Sequence, residues 1–456
     1  MATSTGVKYI GKNDVYEDNI LRTGLTWSKG ETHILPEVMA KEFLKHPGMF
    51  AEVPGASYLI ASASEGLLTF PGSGIKSDAD LYLYNYDPAQ YAKFRTAIAG
   101  TLANVSDTKL GIVGDSTARG AIGGGGTVTQ AGGQAASWPR KLAERMNAYF
   151  CPASNASVFG DGGMGSANFD THDARCLRGP FASASTSKTI GGAYWAVATG
   201  TGVGFKLTPV ESVDTFDIQF DQGPYSFLEP ALQFYIDGAA PASGPATYNC
   251  NQAPMQLTTV TVGAASAGTH QLEVRPITAT KSTYFVGVRA RNSAIKRVLI
   301  DNLGWAGSSP SDWAANSGWP SDPMPALTYQ AYDLTIICLT INTINAGVSA
   351  DTWAASIQPI ITAAKAGGGN VLLVTGTPCT TAETNYPGAY SAYWAAMQAL
   401  AVANNCAAVN LRLRWGSGAA AISAGFLDAT ERLHPTKTGY GDISAAYYQL
   451  IRRIAE

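Results

Sequence analysis

The hydrophobic pattern alternates between stretches of strand period and stretches of helix period. An apolar run, Leu110-Gly111-Ile112-Val113, stops at Gly114-Asp115-Ser116. A helix is predicted over 138–150, with Leu142, Met146 and Tyr149 on one side. Ser157-Val158-Phe159 reads as the next strand and ends in the glycine-rich loop 160–166. From about 187 to 299 the signals are all β, with short β-branched and aromatic runs between turns. Alternation resumes at 297–301 with an apolar strand. Further strands are predicted at 334–339 and 370–374, and helices over 351–366, 389–404 and 441–454. Strand–helix alternation implies a parallel sheet with helices on both faces. The β stretch then reads as an insertion into an α/β domain.

Before residue 105 the pattern is different. Residues 1–55 carry a short strand at 7–10 and a short helix at 36–44, and read as a small separate module. Residues 56–104 read as a Gly/Ser-rich linker and a lead-in helix over 88–103. The expected organisation is therefore 1–55, 56–104, an α/β half at 105–186, an inserted sandwich or jelly roll at 187–299, and the second α/β half at 300–456.

Composition narrows the function classes. With 34 acidic and 31 basic residues the net charge is -3, which leaves no basic footprint for nucleic acid. The six cysteines form no C-x-x-C pair, which disfavours a zinc site. The start has no basic region followed by an apolar run, so no secretory signal is expected, and no apolar run has the length of a membrane span.

Candidate chemistry centres on Ser116. A strand that stops at Gly-Asp-Ser and feeds a helix lifts a hydroxyl to the carboxyl edge of a sheet, where open α/β sheets bind ligands. Serine needs a base. His434, just before the last predicted helix, is the candidate. Glu431, three residues before it, can accept the Nδ1 proton, and Asp428 is the rival acid. Asn342, ending the run 334–341, can donate its amide to an oxyanion. The 160–165 loop can add a backbone N–H from Gly163 or Gly165.

In this order the blocks resemble the SGNH (GDSL-type) esterase family. The matches are Gly-Asp-Ser at 114–116, the glycine loop, Thr340-Ile341-Asn342-Thr343, Glu431-x-x-His434-Pro435 and the Gly439-Tyr440 that follows. Thr340 and Thr343 stand where the family favours Gly and Asp, and Glu431 where it favours Asp. The resemblance implies a three-layer α/β fold, a Ser116 nucleophile, a His434 base, and oxyanion donors at Ser116, Gly165 and Asn342. It implies no metal or cofactor.

The strings 8–12, 23–27 and 45–47 look like small modules found at the start of phage structural proteins. Residues 84–88 are similar to the lead-in of phage-borne SGNH proteins. This second resemblance implies a tail spike that is trimeric, attached to the phage tail or baseplate through the N-terminal module, and located in the virion. The expected activity is removal of O-acetyl groups from a bacterial surface polysaccharide. Aromatics such as Trp195, Tyr225, Phe227 and Tyr284 are candidate sugar platforms. The alternatives are a catalytically silent carbohydrate-binding adhesin and a cytosolic lipase or thioesterase.

Overall fold

The structure, a computed structural model, describes residues 2–9, 15–17, 26–29, 32–36, 44–45, 50–52, 58–60, 83–121, 132–163, 168–179, 181–197, 204–224, 231–277, 284–314 and 317–455. The chain divides into two compact units, Met1–Tyr82 and Leu83–Glu456. In the first, Ala2–Tyr9 pairs antiparallel with Thr32–Pro36, Phe50–Glu52 and Tyr58–Ile60. The helix expected over 36–44 falls mostly outside the described residues; Pro36 itself ends a strand.

The second unit is built on a seven-stranded sheet. Its order is Leu83–Tyr84, Ala407–Val409, Asn370–Val374, Leu334–Cys338, Thr108–Gly114, Val298–Asn302 and Ala153–Ser154. All pairings are parallel except that of the edge strand Leu83–Tyr84. Leu334–Cys338 and Val298–Asn302 are buried at every position, as strands covered on both faces must be. Helices Pro323–Gln330, Ala350–Ala366 and Ala389–Ala403 form one packed group, and Ala92–Leu102, Trp138–Tyr149 and Lys437–Ala455 another. In the latter the Trp138 and Tyr447 rings stack at 4.0 Å, an aromatic pair that adds to simple area burial.

Between Ala153–Ser154 and Val298–Asn302 the chain leaves this sheet and builds two antiparallel ones. One has the order Phe181–Thr189, Gly192–Val197, Phe285–Arg291, Val213–Gln222, Gln256–Gly268. The other has Cys176–Leu177, Phe205–Leu207, Leu272–Pro276, Ala231–Ile236, Thr247–Asn249. Phe216, Ile218, Phe220 and Phe285 of the first share one buried cluster with Leu207, Phe234 and Val274 of the second. Val158–Phe159, read above as a strand of the parallel sheet, instead pairs antiparallel with Phe285–Arg291. The parallel edge is taken by Ala153–Ser154, a strand too short to leave a periodic signal. Tyr225, Phe227 and the Trp195 side chain lie outside the described residues.

Candidate active site

The strand Thr108–Gly114 ends against a tight turn. A Cβ on Gly114 would sit 2.5 Å from the Ala118 Cβ, so only glycine lets the next helix fold back this closely. Asp115 starts that helix, Ser116–Arg119: its Oδ1 accepts the Thr117 N–H at 2.8 Å and the Thr117 hydroxyl at 2.7 Å. Burial pushes the Asp115 carboxyl above the usual carboxylate range, against the two Thr117 bonds. Ser116 opens the helix, so its N–H has no carbonyl one turn back to bond.

His434 arrives from the opposite end of the unit. The loop before the helix Lys437–Ala455 closes on itself: Asp428 N–H donates to the His434 carbonyl at 3.0 Å, and Leu427 bridges Pro435. This presents the imidazole to Ser116. His434 Nδ1 lies 2.7 Å from Glu431 Oε2, and Nε2 lies 2.9 Å from Ser116 Oγ. A carboxylate only accepts, so Nδ1 carries the proton and donates it to Glu431. Nε2 is then left to accept from the serine hydroxyl. Ser116 is 4% exposed and His434 8%, so the chain of bonds is largely withdrawn from water. Such an arrangement can take the hydroxyl proton as a nucleophile forms.

Of the two carboxylates weighed above, Glu431 meets the imidazole. Asp428 is occupied otherwise, its Oδ1 accepting the N–H groups of Thr430 and Glu431 at 2.9 and 2.7 Å. Of the other histidines with described side chains, His172 is held neutral by burial, its pKa lowered to about 4. His270 pairs with Asp237.

Asn342 lies in the first turn of the helix Ile341–Asn345, four residues past the end of Leu334–Cys338, rather than at the strand end itself. Its Nδ2 donates to the Ser308 carbonyl at 2.8 Å. Ser308 Oγ–H in turn donates to the Gly114 carbonyl at 3.4 Å, which also accepts the Trp305 N–H at 3.0 Å. Asn342 is thereby tied to the turn that carries Ser116. The two threonines that depart from the family pattern brace this region: Thr340 Oγ1 accepts the Gly376 N–H at 2.7 Å, and Thr343 Oγ1 donates to the Thr340 carbonyl at 2.9 Å.

The glycine loop is pinned by Asp161, whose Oδ1 accepts the N–H groups of Gly163 and Ala193, each at 2.8 Å. The Gly163 N–H is therefore already spent inside the turn. Gly165 lies outside the described residues. The parts played by Asp161 and Ser308 were missed from sequence. An Asp before two glycines is a turn signal that would have found the first; Ser308 orients Asn342 through its backbone carbonyl, which no residue type announces.

Among the described residues no group of three or more His, Cys, Asp or Glu is arranged to hold a metal ion. The six cysteines are all buried. No described helix is long and apolar enough to cross a membrane.

No curated protein matches the sequence. Among solved structures, a peptidoglycan O-acetylesterase superposes with a TM-score of 0.59 at 14% identity, over 81% of this chain and 99% of that one. At this identity the likeness shows a shared fold. An Enterococcus faecalis lipase/acylhydrolase (17% identity, 35% of this chain, 77% of that one, TM-score 0.28) and a Geobacillus stearothermophilus acetylxylan esterase (19%, 34%, 73%, 0.27) also match. Residues 278–441, a stretch holding Asn342, Glu431 and His434, match the GDSL-like lipase/acylhydrolase family. Residues 278–441 thus resemble the GDSL-like lipase/acylhydrolase family, on a chain that shares the fold of the O-acetylesterase.

Proposed function

We propose that this protein is a serine esterase that removes O-acetyl groups from a bacterial surface polysaccharide. The observation that carries the reading is the unbroken line Ser116 Oγ, His434, Glu431, with spacings of 2.9 and 2.7 Å. Ser116 Oγ attacks the acetyl carbonyl carbon while its proton passes to His434 Nε2. Collapse of the tetrahedral intermediate returns that proton to the sugar oxygen, which leaves as the hydroxyl. Water then gives a proton to the same nitrogen and attacks the acetyl-serine, and collapse returns that proton to Ser116 Oγ and releases acetic acid, which ionises to acetate. Glu431 fixes the tautomer and balances the imidazolium in both halves. The oxyanion is held by the N–H of Ser116, the N–H of Gly165 and the amide of Asn342.

The acetylated glycan is favoured as substrate by the sequence pattern and by the acetylesterases among the fold's relatives. In the same reading residues 1–55 attach the chain, as a trimer, to a phage tail. The motif strings at 8–12, 23–27 and 45–47 support that extension. A silent adhesin would have no use for the braced Ser116–His434–Glu431 line.

The test is acetate release from O-acetylated capsules and O-antigens by the wild type and by Ser116→Ala. The expected result is release by the wild type alone. Equal release by both proteins, or none by either from any acetylated glycan, overturns the reading.

A further inference from the structure

The acyl-transfer steps leave unused a buried charge one helical turn from the nucleophile. Arg119 ends the helix Ser116–Arg119 and is 2% exposed. Residues three apart on a helix have Cβ atoms about 5–6 Å apart, so the Arg119 side chain starts beside Ser116. Its far end lies against the glycine turn: a Cβ on Gly162 would sit 2.2 Å from Arg119 Nε and 2.7 Å from Cζ. The Phe169 ring covers another side, its centroid 5.7 Å from Cζ.

Backbone contacts join the same parts. A Cβ on Gly304 would sit 2.4 Å from the Arg119 backbone nitrogen. Next in the chain, the Trp305 N–H donates to the Gly114 carbonyl at 3.0 Å, and the Ala306 N–H to the Gly162 carbonyl at 2.8 Å. The nucleophile helix, residues 304–306 and the glycine turn thus touch one another directly.

Neither set of contacts calls for a guanidinium. The helix end is held through carbonyls: Asn302 Nδ2 donates to that of Ala118 at 2.9 Å, and His172 Nε2 to that of Arg119 at 3.2 Å. Arg119 Nε and Nη2 are buried with no hydrogen-bond partner among the described residues. A buried charge without such bonds is destabilising, and apolar packing of like volume would avoid the penalty. Burial pushes the guanidinium below its ordinary value, and the Asp173 and Asp161 carboxylates act against that. Asp173 already accepts from Nε and Nη2 of Arg175 at 2.8 and 2.7 Å. Asp161 precedes Gly162 and pins the turn through its Oδ1.

We propose that Arg119 is a positioning residue whose charge offsets the Asp161 carboxylate at the glycine turn. The carboxylate shapes the turn, but it also puts a negative charge near Ser116, where the acetyl oxygen becomes negative. In a buried site such repulsion is weakly screened, and a fixed cation packed on the turn cancels it with no reorganisation. The inference rests on the esterase reading and adds to it a charge outside the Ser116–His434–Glu431 line.

Steady-state kinetics on a small acetyl ester compares the wild type, Arg119→Met, Asp161→Asn and the double variant. Arg119→Met is expected to lower kcat about tenfold with little change in KM, because the charge acts on the transition state. Asparagine keeps an Oδ1 acceptor for the Gly163 and Ala193 N–H groups and removes the charge. The double variant is therefore expected to recover most of the lost kcat, and Asp161→Asn alone to exceed the wild type about threefold. A side chain that acts by bulk alone gives no such recovery. A double variant as slow as Arg119→Met, or an Arg119→Met with wild-type kcat, overturns the inference and leaves the esterase reading standing. If Arg119→Met does not fold, Asp161→Asn decides alone, and a kcat at or below the wild-type value overturns the inference. No turnover of the ester by the wild type overturns the esterase reading, and the inference with it.

Discussion

Asp428 Oδ1 accepts the backbone N–H of Glu431 at 2.7 Å, so the carboxylate that does not touch His434 sets the position of the one that does. The Arg432 N–H donates back to the Asp428 carbonyl at 3.0 Å and closes the same loop. Removing each carboxylate therefore has a different consequence. Glu431→Gln keeps the shape but frees the tautomer and leaves the imidazolium unbalanced, and kcat is expected to fall about 10³–10⁴-fold. Asp428→Ala loosens the loop and misplaces Glu431, with an expected loss of about 10–10²-fold. Steady-state kinetics on a small acetyl ester ranks the two; the reverse order assigns the acid to Asp428.

Asn342 is oriented by the Ser308 carbonyl, which takes one N–H of its amide at 2.8 Å. The other N–H remains for an oxyanion. Asn342→Ala is expected to lower kcat about 10²–10³-fold with little change in KM, since the interaction forms in the transition state. Asn342→Asp is expected to do no better, because a carboxylate can neither donate to Ser308 nor to an oxyanion. A fall in kcat/KM carried by KM alone would remove Asn342 from the oxyanion site.

Much of this was legible because its signals are local. Gly114-Asp115-Ser116 announces in three letters a strand that stops and feeds a helix, and the structure has both, with Asp115 as the helix cap. The helices Ala350–Ala366 and Ala389–Ala403 carry long periodic patterns, and the structure matches them within a residue. Glu431 and Asp428 were not separable in one dimension, because both lie within a loop's reach of His434 and only the fold of that loop decides. The strand Val158–Phe159 was misassigned for a related reason. Two apolar residues fit either sheet, and the choice is made by a partner more than a hundred residues away.

Gly163 has φ of +72°, and a Cβ there would lie 2.6 Å from Trp305 Cδ1 and 2.7 Å from the Ala306 carbonyl. Gly307 has nearly the same φ, +76°, with nothing within 4 Å of its Cβ. The pair separates backbone strain from crowding. Gly307→Ala is expected to cost about 1–2 kcal/mol, the penalty for a left-handed L-residue. Gly163→Ala is expected to cost about 1–3 kcal/mol more, because Trp305 must also give way. Urea denaturation of the two variants checks this; equal losses would mean that Trp305 moves aside freely.

Asp221 gives a pH prediction with a definite sign. It is 1% exposed, its Oδ2 accepts the Ser321 hydroxyl, and its Oδ1 has no partner. Burial raises its pKa from 3.8 to about 7, with the Ser321 bond opposing and the Asp322 charge adding. The native state then holds this proton more tightly than the unfolded chain. Between about pH 4 and about pH 7 the native state binds more protons than the unfolded one, so stability falls as pH rises, and above about pH 7 the penalty is complete. A rise of that size corresponds to about 4 kcal/mol as an upper bound. Asp221→Asn keeps an acceptor for Ser321 and cannot ionise. Its thermal midpoint is expected to match that of the wild type near pH 4 and to exceed it near pH 8. The other carboxylates titrate alike in both proteins, so the difference between the two curves belongs to Asp221. Parallel curves across that range would mean the buried carboxyl ionises without cost.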